Sequence, residues 1–214
     1  MSNIDRLMRP LNSLQYFCFS VFNCKKSEVI DALHSLQSEW NNRTFSYKER
    51  RPFALSDCSW YPLSYTVPAV WRICLFETKN LNTVMISNLY DGAHSLLWNL
   101  ASRSGIESLS IRTTDSSTKC DCINELIYFN EGEMRRIVRT MTDPYWDFFE
   151  KGQPLWFEDV SLYSQRYKKD RLNRRILTDY CLKLGLDVDS PDFWKASEAT
   201  VIEIAFSSDG QTSN

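Results

Sequence analysis

A chain of 214 residues is long enough for one large domain or two small ones, length favouring one, and 43% hydrophobic with 24% charged residues is the composition of a globular protein with a buried core, not of a disordered or fibrous one. Its formal net charge of −2 gives no overall attraction for nucleic acid or an anionic membrane. No stretch approaches the roughly 18 apolar residues that span a bilayer.

The opening MSNIDRLMRPLNS lacks the apolar core and small-residue cleavage site of a secretory signal. Seven Cys would leave an odd thiol in an oxidising compartment, and Cys18, Cys74 and Cys181 lie inside apolar runs as small core hydrophobes. The expectation is a cytoplasmic protein. Seven Trp and ten Tyr are more than an average share, and aromatics serve both cores and interfaces.

In chain order, residues 14–23 (LQYFCFSVFN) predict a first strand. Ser27 is a candidate N-cap, with Glu28 and Asp31 in the first turn. Val29, Ile30, Leu33, Leu36 and Trp40 recur at helical spacing over 27–40. The stretch 41–68 reads as irregular, with Pro52, Pro62 and Pro68, the run KERR at 48–51, the pair Trp60–Tyr61 and one short strand near 59–66. Residues 69–77 and 82–88 predict antiparallel strands around a turn at Lys79, Asn80 and Leu81.

Asp91 or Ser95 caps a second helix, whose face is Leu96, Leu97, Leu100 and Ala101 and whose end is Gly105. Strands follow at 107–113, 123–130 and 134–141. Residues 145–158 (YWDFFEKGQPLWFE) predict a β-hairpin turning at Glu150–Lys151–Gly152–Gln153, with Pro154 opening its second strand. A long helix is expected from Ser161 to about Leu184, carrying Leu172, Ile176, Leu177 and Tyr180. A last strand alternates over 199–206, and 207–214 reads as a disordered tail. Adjacent hairpin-like strands exclude a doubly wound parallel sheet. The expected fold is a single α+β domain over 1–206, an antiparallel or mixed β-sheet with about three helices packed mainly on one face.

Chemistry is sparse. His34 and His94 lie on separate helices, outside any HExxH or Cys/His ligand array, and no GxSxG elbow accompanies them. Cys120-Asp121-Cys122 has the wrong spacing for a zinc knuckle and lacks a second one. Six Gly and no GxxxxGK[ST] or GxGxxG leave no phosphate cradle. Glu158 and Asp159 suit a helix entry. No catalytic, cofactor-binding or metal-binding residue is therefore assigned, and no cofactor is implied. The basic run 166–175 (RYKKDRLNRR) reads as a solvated helix face with an Asp170–Arg174 pair. Its other reading is a surface of Lys168, Arg171 and Arg175 toward an acidic partner or phosphates.

One segment carries a resemblance. Residues 134–185 contain Phe148, Phe149, Glu150, Gly152, Pro154, Leu155, Phe157 and Glu158, then Tyr163, Arg166, Asp170 and Arg171, and finally Leu184 and Gly185. This pattern, FFExGxPLxFE leading into a Tyr- and Arg-bearing helix, resembles small bacterial immunity-type proteins encoded beside secreted antibacterial toxins. The resemblance implies a protein that binds a cognate toxin and occludes its active site, without chemistry of its own. Candidate contacts for such a partner are Arg50, Arg51, Trp60 and Tyr61 in the irregular loop, and Lys168, Arg171 and Arg175 on the basic helix. The competing expectations are an enzyme whose site is drawn from distant segments, and a nucleic-acid or regulatory adaptor using 166–175.

Overall fold

Runs of aromatic and β-branched residues bury both faces of the central strands, so the sheet needs cover on both sides. In the computed structural model, which describes residues 16–58, 60, 68–114 and 122–206, that cover is found. The elements are β1 (Tyr16–Phe22), α1 (Lys26–Glu39), β2 (Arg43–Arg50), β3 (Phe53–Ala54), β4 (Val70–Glu77), β5 (Thr83–Ser87) and α2 (His94–Ser104). They continue with β6 (Ser108–Thr114), β7 (Ile123–Asn130), β8 (Glu133–Thr142), β9 (Trp146–Lys151), α3 (Lys168–Arg171), α4 (Arg174–Lys183), β10 (Lys195–Ala196) and β11 (Ala199–Phe206). Nine strands form one sheet in the order β2-β11-β4-β5-β1-β6-β7-β8-β9, with every pairing antiparallel. The α+β class is as the sequence implies. β3 and β10 pair separately as a short ribbon.

Two of the three main helices share a face. Val29, Leu33 and Leu36 of α1 and Leu96, Leu97 and Leu100 of α2 pack on Ile73, Leu75, Met85, Ile127, Ile202 and Ile204. The third, α4, covers the opposite face with Ile176, Leu177, Tyr180 and Cys181, joined by Phe157, Tyr163, Leu186 and Trp194. Beneath them lie Phe17, Phe19, Phe76, Leu109, Ile111 and Val138. The result is three layers. Among the described residues no helix is long and apolar enough to cross a membrane.

Three expectations change. The stretch 41–68 contains β2, an edge strand on which Phe45 alone is buried, so it lacks the apolar alternation that marks a strand in sequence. The segment 145–158 is not a hairpin on itself. Residues 146–151 pair with β8, in register Thr142↔Trp146 to Ile137↔Lys151, and 152–158 leave the sheet. The long helix of 161–184 is a 3-10 turn (Val160–Ser164), then α3, then α4. Leu172 breaks it in extended conformation (φ −147, ψ 123), and Asn173 restarts it by accepting the Ile176 N–H at 3.1 Å. The break separates Asp170 from Arg174, whose Nε donates to Thr113 Oγ1 at 3.4 Å.

Helix ends otherwise follow local rules. Glu28 accepts the Lys25 N–H at 3.0 Å, so α1 begins one residue before Ser27. Asp91 accepts the Ala93 N–H at 3.0 Å in the turn that opens α2, and Gly105 closes it at φ +67. Apart from Trp60, which lies in a turn, the strand expected near 59–66 is outside the described residues, as are Tyr61, the Cys120–Asp121 pair and the tail 207–214.

Candidate functional site

The segment that carries the resemblance is organised by one buried cation. Arg136 of β8 has a 1% exposed side chain and Glu158 a fully buried one. Arg136 Nε donates to both Glu158 oxygens (3.0 and 3.2 Å), and Nη2 donates to Glu158 Oε2 and Glu150 Oε2, both at 2.7 Å. Nη1 donates to the Gly152 carbonyl at 2.8 Å. Glu158 also accepts from the Leu155 N–H (2.8 Å) and the Tyr163 hydroxyl (2.7 Å), whose oxygen is 3.2 Å from that of Tyr180. Burial alone would weaken the guanidinium's hold on its proton. The Glu158 and Glu150 carboxylates outweigh it and hold Arg136 above its ordinary range. Burial, then the Tyr180 and Glu158 hydrogen bonds, raise the Tyr163 hydroxyl as well.

Gly152 passes so close to β8 that an added Cβ would lie 1.9 Å from the Arg135 carbonyl, at a φ of +91 that favours glycine. These groups are mutually satisfied, which suits a scaffold better than a reacting site. What they fix is the turn 152–158, from which Trp156 projects 77% exposed, its ring edge-on to buried Phe157 at 5.7 Å. In the FFExGxPLxFE pattern Leu155, Phe157 and Glu158 turn toward the fold, and the open position between Leu155 and Phe157 is Trp156.

Trp156 stands at the lip of a cavity of 210 Å³ between this turn, the end of α4 and the sheet. Its walls are apolar, from Val21, Leu109, Leu155, Phe157, Leu184 and Leu186. Its polar end is Glu107, which accepts from Asn23 Nδ2 at 2.7 Å and from the Tyr128 hydroxyl at 2.6 Å. Burial, then the bond to Glu107, push the Tyr128 hydroxyl up to about 12, so it stays a donor at neutral pH. Arg135, the cation that acts on Tyr128, is itself paired with Glu131 (2.9 Å) and Glu133 (2.8 Å). No described Lys or Arg forms an ion pair with Glu107.

Two further depressions, of 210 and 780 Å³, continue around the β4–β5 turn and share Thr78, Lys79, Asp192 and Lys195. Among the residues lining the three, the carboxylates Asp57, Glu77, Glu107, Asp187 and Asp192 outnumber the cations Lys79 and Lys195, and Lys195 is paired with Asp192 at 2.9 Å.

The residues named from sequence fall into two separate groups. Arg50 is exposed where β2 ends, and Arg51 pairs with Glu198 at 2.6 Å. Trp60 is half-buried against the core, and Tyr61 is outside the described residues. Lys168 pairs with Asp147 at 2.6 Å, and Arg171 stacks over Phe148 at 5.3 Å while donating to the Gln165 carbonyl. Arg175 is exposed and lines a depression of 550 Å³ with Lys169, Asp170, Arg174 and Trp146. The two edge strands, β2 and β9, are eight strand spacings apart, roughly 38 Å at about 4.8 Å each. Arg51 and Lys168 also lie toward opposite ends of the strands. These residues form no common surface.

His34 stacks on Tyr47 and His94 lies near Trp98, each on its own helix. Among the described residues no group of three or more His, Cys, Asp or Glu is placed to hold a metal ion. Sequence reasoning passed over Trp156, Glu107, Asn23 and Tyr128. Only Trp156 left a trace there, as the unassigned position of the pattern. Comparison of the chain with protein-family models, curated proteins and solved structures finds no match.

Proposed function

We propose that the chain is an immunity-type binding protein that neutralises a cognate bacterial protein toxin by direct binding and occlusion. The observation that carries the reading is Trp156, a large aromatic side chain left 77% exposed on a turn that a buried ion pair holds rigid. Trp is enriched among the few anchor residues that dominate the binding energy of protein interfaces. The adjoining cleft offers the desolvated pocket that such anchors border. The partner class comes from the resemblance over 134–185. The adaptor alternative draws less from the fold, since Lys168 and Arg171 are engaged by Asp147, Phe148 and Gln165.

The test is capture of a partner from lysate of the source cells, followed by expression of that partner alone and together with this chain. A captured species that kills alone and is suppressed by co-expression supports the proposal. Replacement W156A is expected to weaken that complex by about 2 kcal/mol or more, roughly 30-fold in Kd. If no captured species is toxic, or a toxic one is not suppressed, the proposal is wrong.

A further inference from the structure

We infer that the cavity beside Trp156 receives one aliphatic cationic side chain, a lysine or arginine presented by the protein partner, an inference that rests on the function proposed above. Glu107 forms the polar end of the cavity. Its carboxylate is oriented by two donors, Asn23 and Tyr128, and no described Lys or Arg forms an ion pair with it, the nearby Arg135 being paired with Glu131 and Glu133. A partner that covered the cavity with an apolar group would desolvate that charge without compensation, and an acidic group would be repelled.

A lysine or arginine matches the cavity from end to end. Its methylene stem lies along Val21, Leu109, Leu184 and Leu186, its charged head reaches Glu107, and Trp156 at the lip adds an aromatic face for cation–π contact. The volume of 210 Å³ exceeds the engineered cavity of about 150 Å³ that holds benzene, leaving room for a four- or five-carbon chain and its head group. The excess of carboxylates along the adjoining depressions would draw a basic segment toward the same end of the sheet.

The test uses the full chain and n-pentylammonium as a lysine side-chain probe, with neutral 1-pentanol as the control, followed by methyl NMR of Leu109 and Leu184. The expected result is saturable binding of the cation, at least tenfold tighter than the alcohol, and a tenfold or greater loss in Glu107→Gln. Because Glu107→Gln could disturb the Asn23 and Tyr128 bonds, Leu184→Trp provides a second variant that fills the cavity and leaves the carboxylate in place. It too should weaken binding of the cation tenfold or more. Equal binding of cation and alcohol, or cation binding that survives both substitutions, overturns the inference. The probe needs no partner, so loss of the toxin proposal would leave this result readable. Conversely, a toxin bound undiminished by Glu107→Gln would sink the cavity assignment and leave the proposed function standing.

Discussion

At the scale of single residues, the fold turns on Arg136 and Glu158, whose side chains are 1% and 0% exposed. Taking two charges out of water is costly, and the cost is offset here by the hydrogen bonds they make to each other and to Glu150, Gly152, Leu155 and Tyr163. Removing one partner leaves the other buried and alone. Arg136→Met is expected to lower the unfolding free energy by about 3–5 kcal/mol in urea denaturation. Glu150→Gln should cost under about 1 kcal/mol, because that side chain is 40% exposed and water can replace it. Equal losses in the two variants would mean that burial is not what sets the energy. None of this pairing is readable in order along the chain. Glu158 reads locally as a helix-entry acid, and its cation lies 22 positions earlier on another element.

Elements show where local pattern is sufficient and where it misleads. Spacing alone places α1 and α2, because each buries a continuous stripe on one face of the sheet. In 161–184 the spacing is ambiguous. Leu172, Ile176, Leu177 and Tyr180 fit one helical stripe, yet Leu172 is buried in extended conformation and only the rest belongs to α4. The deciding residue is Asn173, which competes for the backbone by capping and so starts a new helix. Asn173→Ala is expected to destabilise the protein by about 1 kcal/mol, measured as a lower urea midpoint with unchanged slope. No loss of stability would show that packing of Leu172, and not the cap, sets the boundary.

For the whole molecule, buried thiols report how the layers are coupled. Cys181 sits in α4 on one face of the sheet, and Cys18 lies on β1 against the Gly92 turn before α2, where an added Cβ would meet its sulfur at 2.0 Å. Burial, first among the causes, pushes both thiols from 9.0 up to about 12. The unfolded chain therefore loses these protons first. Stability tied to them is intact below pH 9 and falls as pH rises from 9 toward about 12, by up to about 1.4 kcal/mol per pH unit for each thiol. Tyr128, raised from 10.0 to about 12, adds loss of the same sign. Alkaline titration by fluorescence, with mass-spectrometric detection of iodoacetamide labelling, should show both cysteines becoming reactive together as the fold opens. Labelling of one without the other would indicate that the two faces unfold separately.

By itself the sequence determined the α+β class, the strands with buried apolar alternation, two helices and the Gly105 stop, because each depends on neighbours a few positions apart. It also marked 145–158 as distinctive without revealing the reason. Tertiary structure decided that polar β2 is a strand, since an edge position supplies its hydrogen bonds without demanding apolar side chains. It decided that 152–158 crosses out of the sheet to hold Trp156 outward, through a cation on β8. It also brought Glu107 to Asn23, 84 positions away, and to Tyr128, 21 positions away. Hydrogen bonds and ion pairs at such separations exist only once the sheet is assembled, and no local period encodes them.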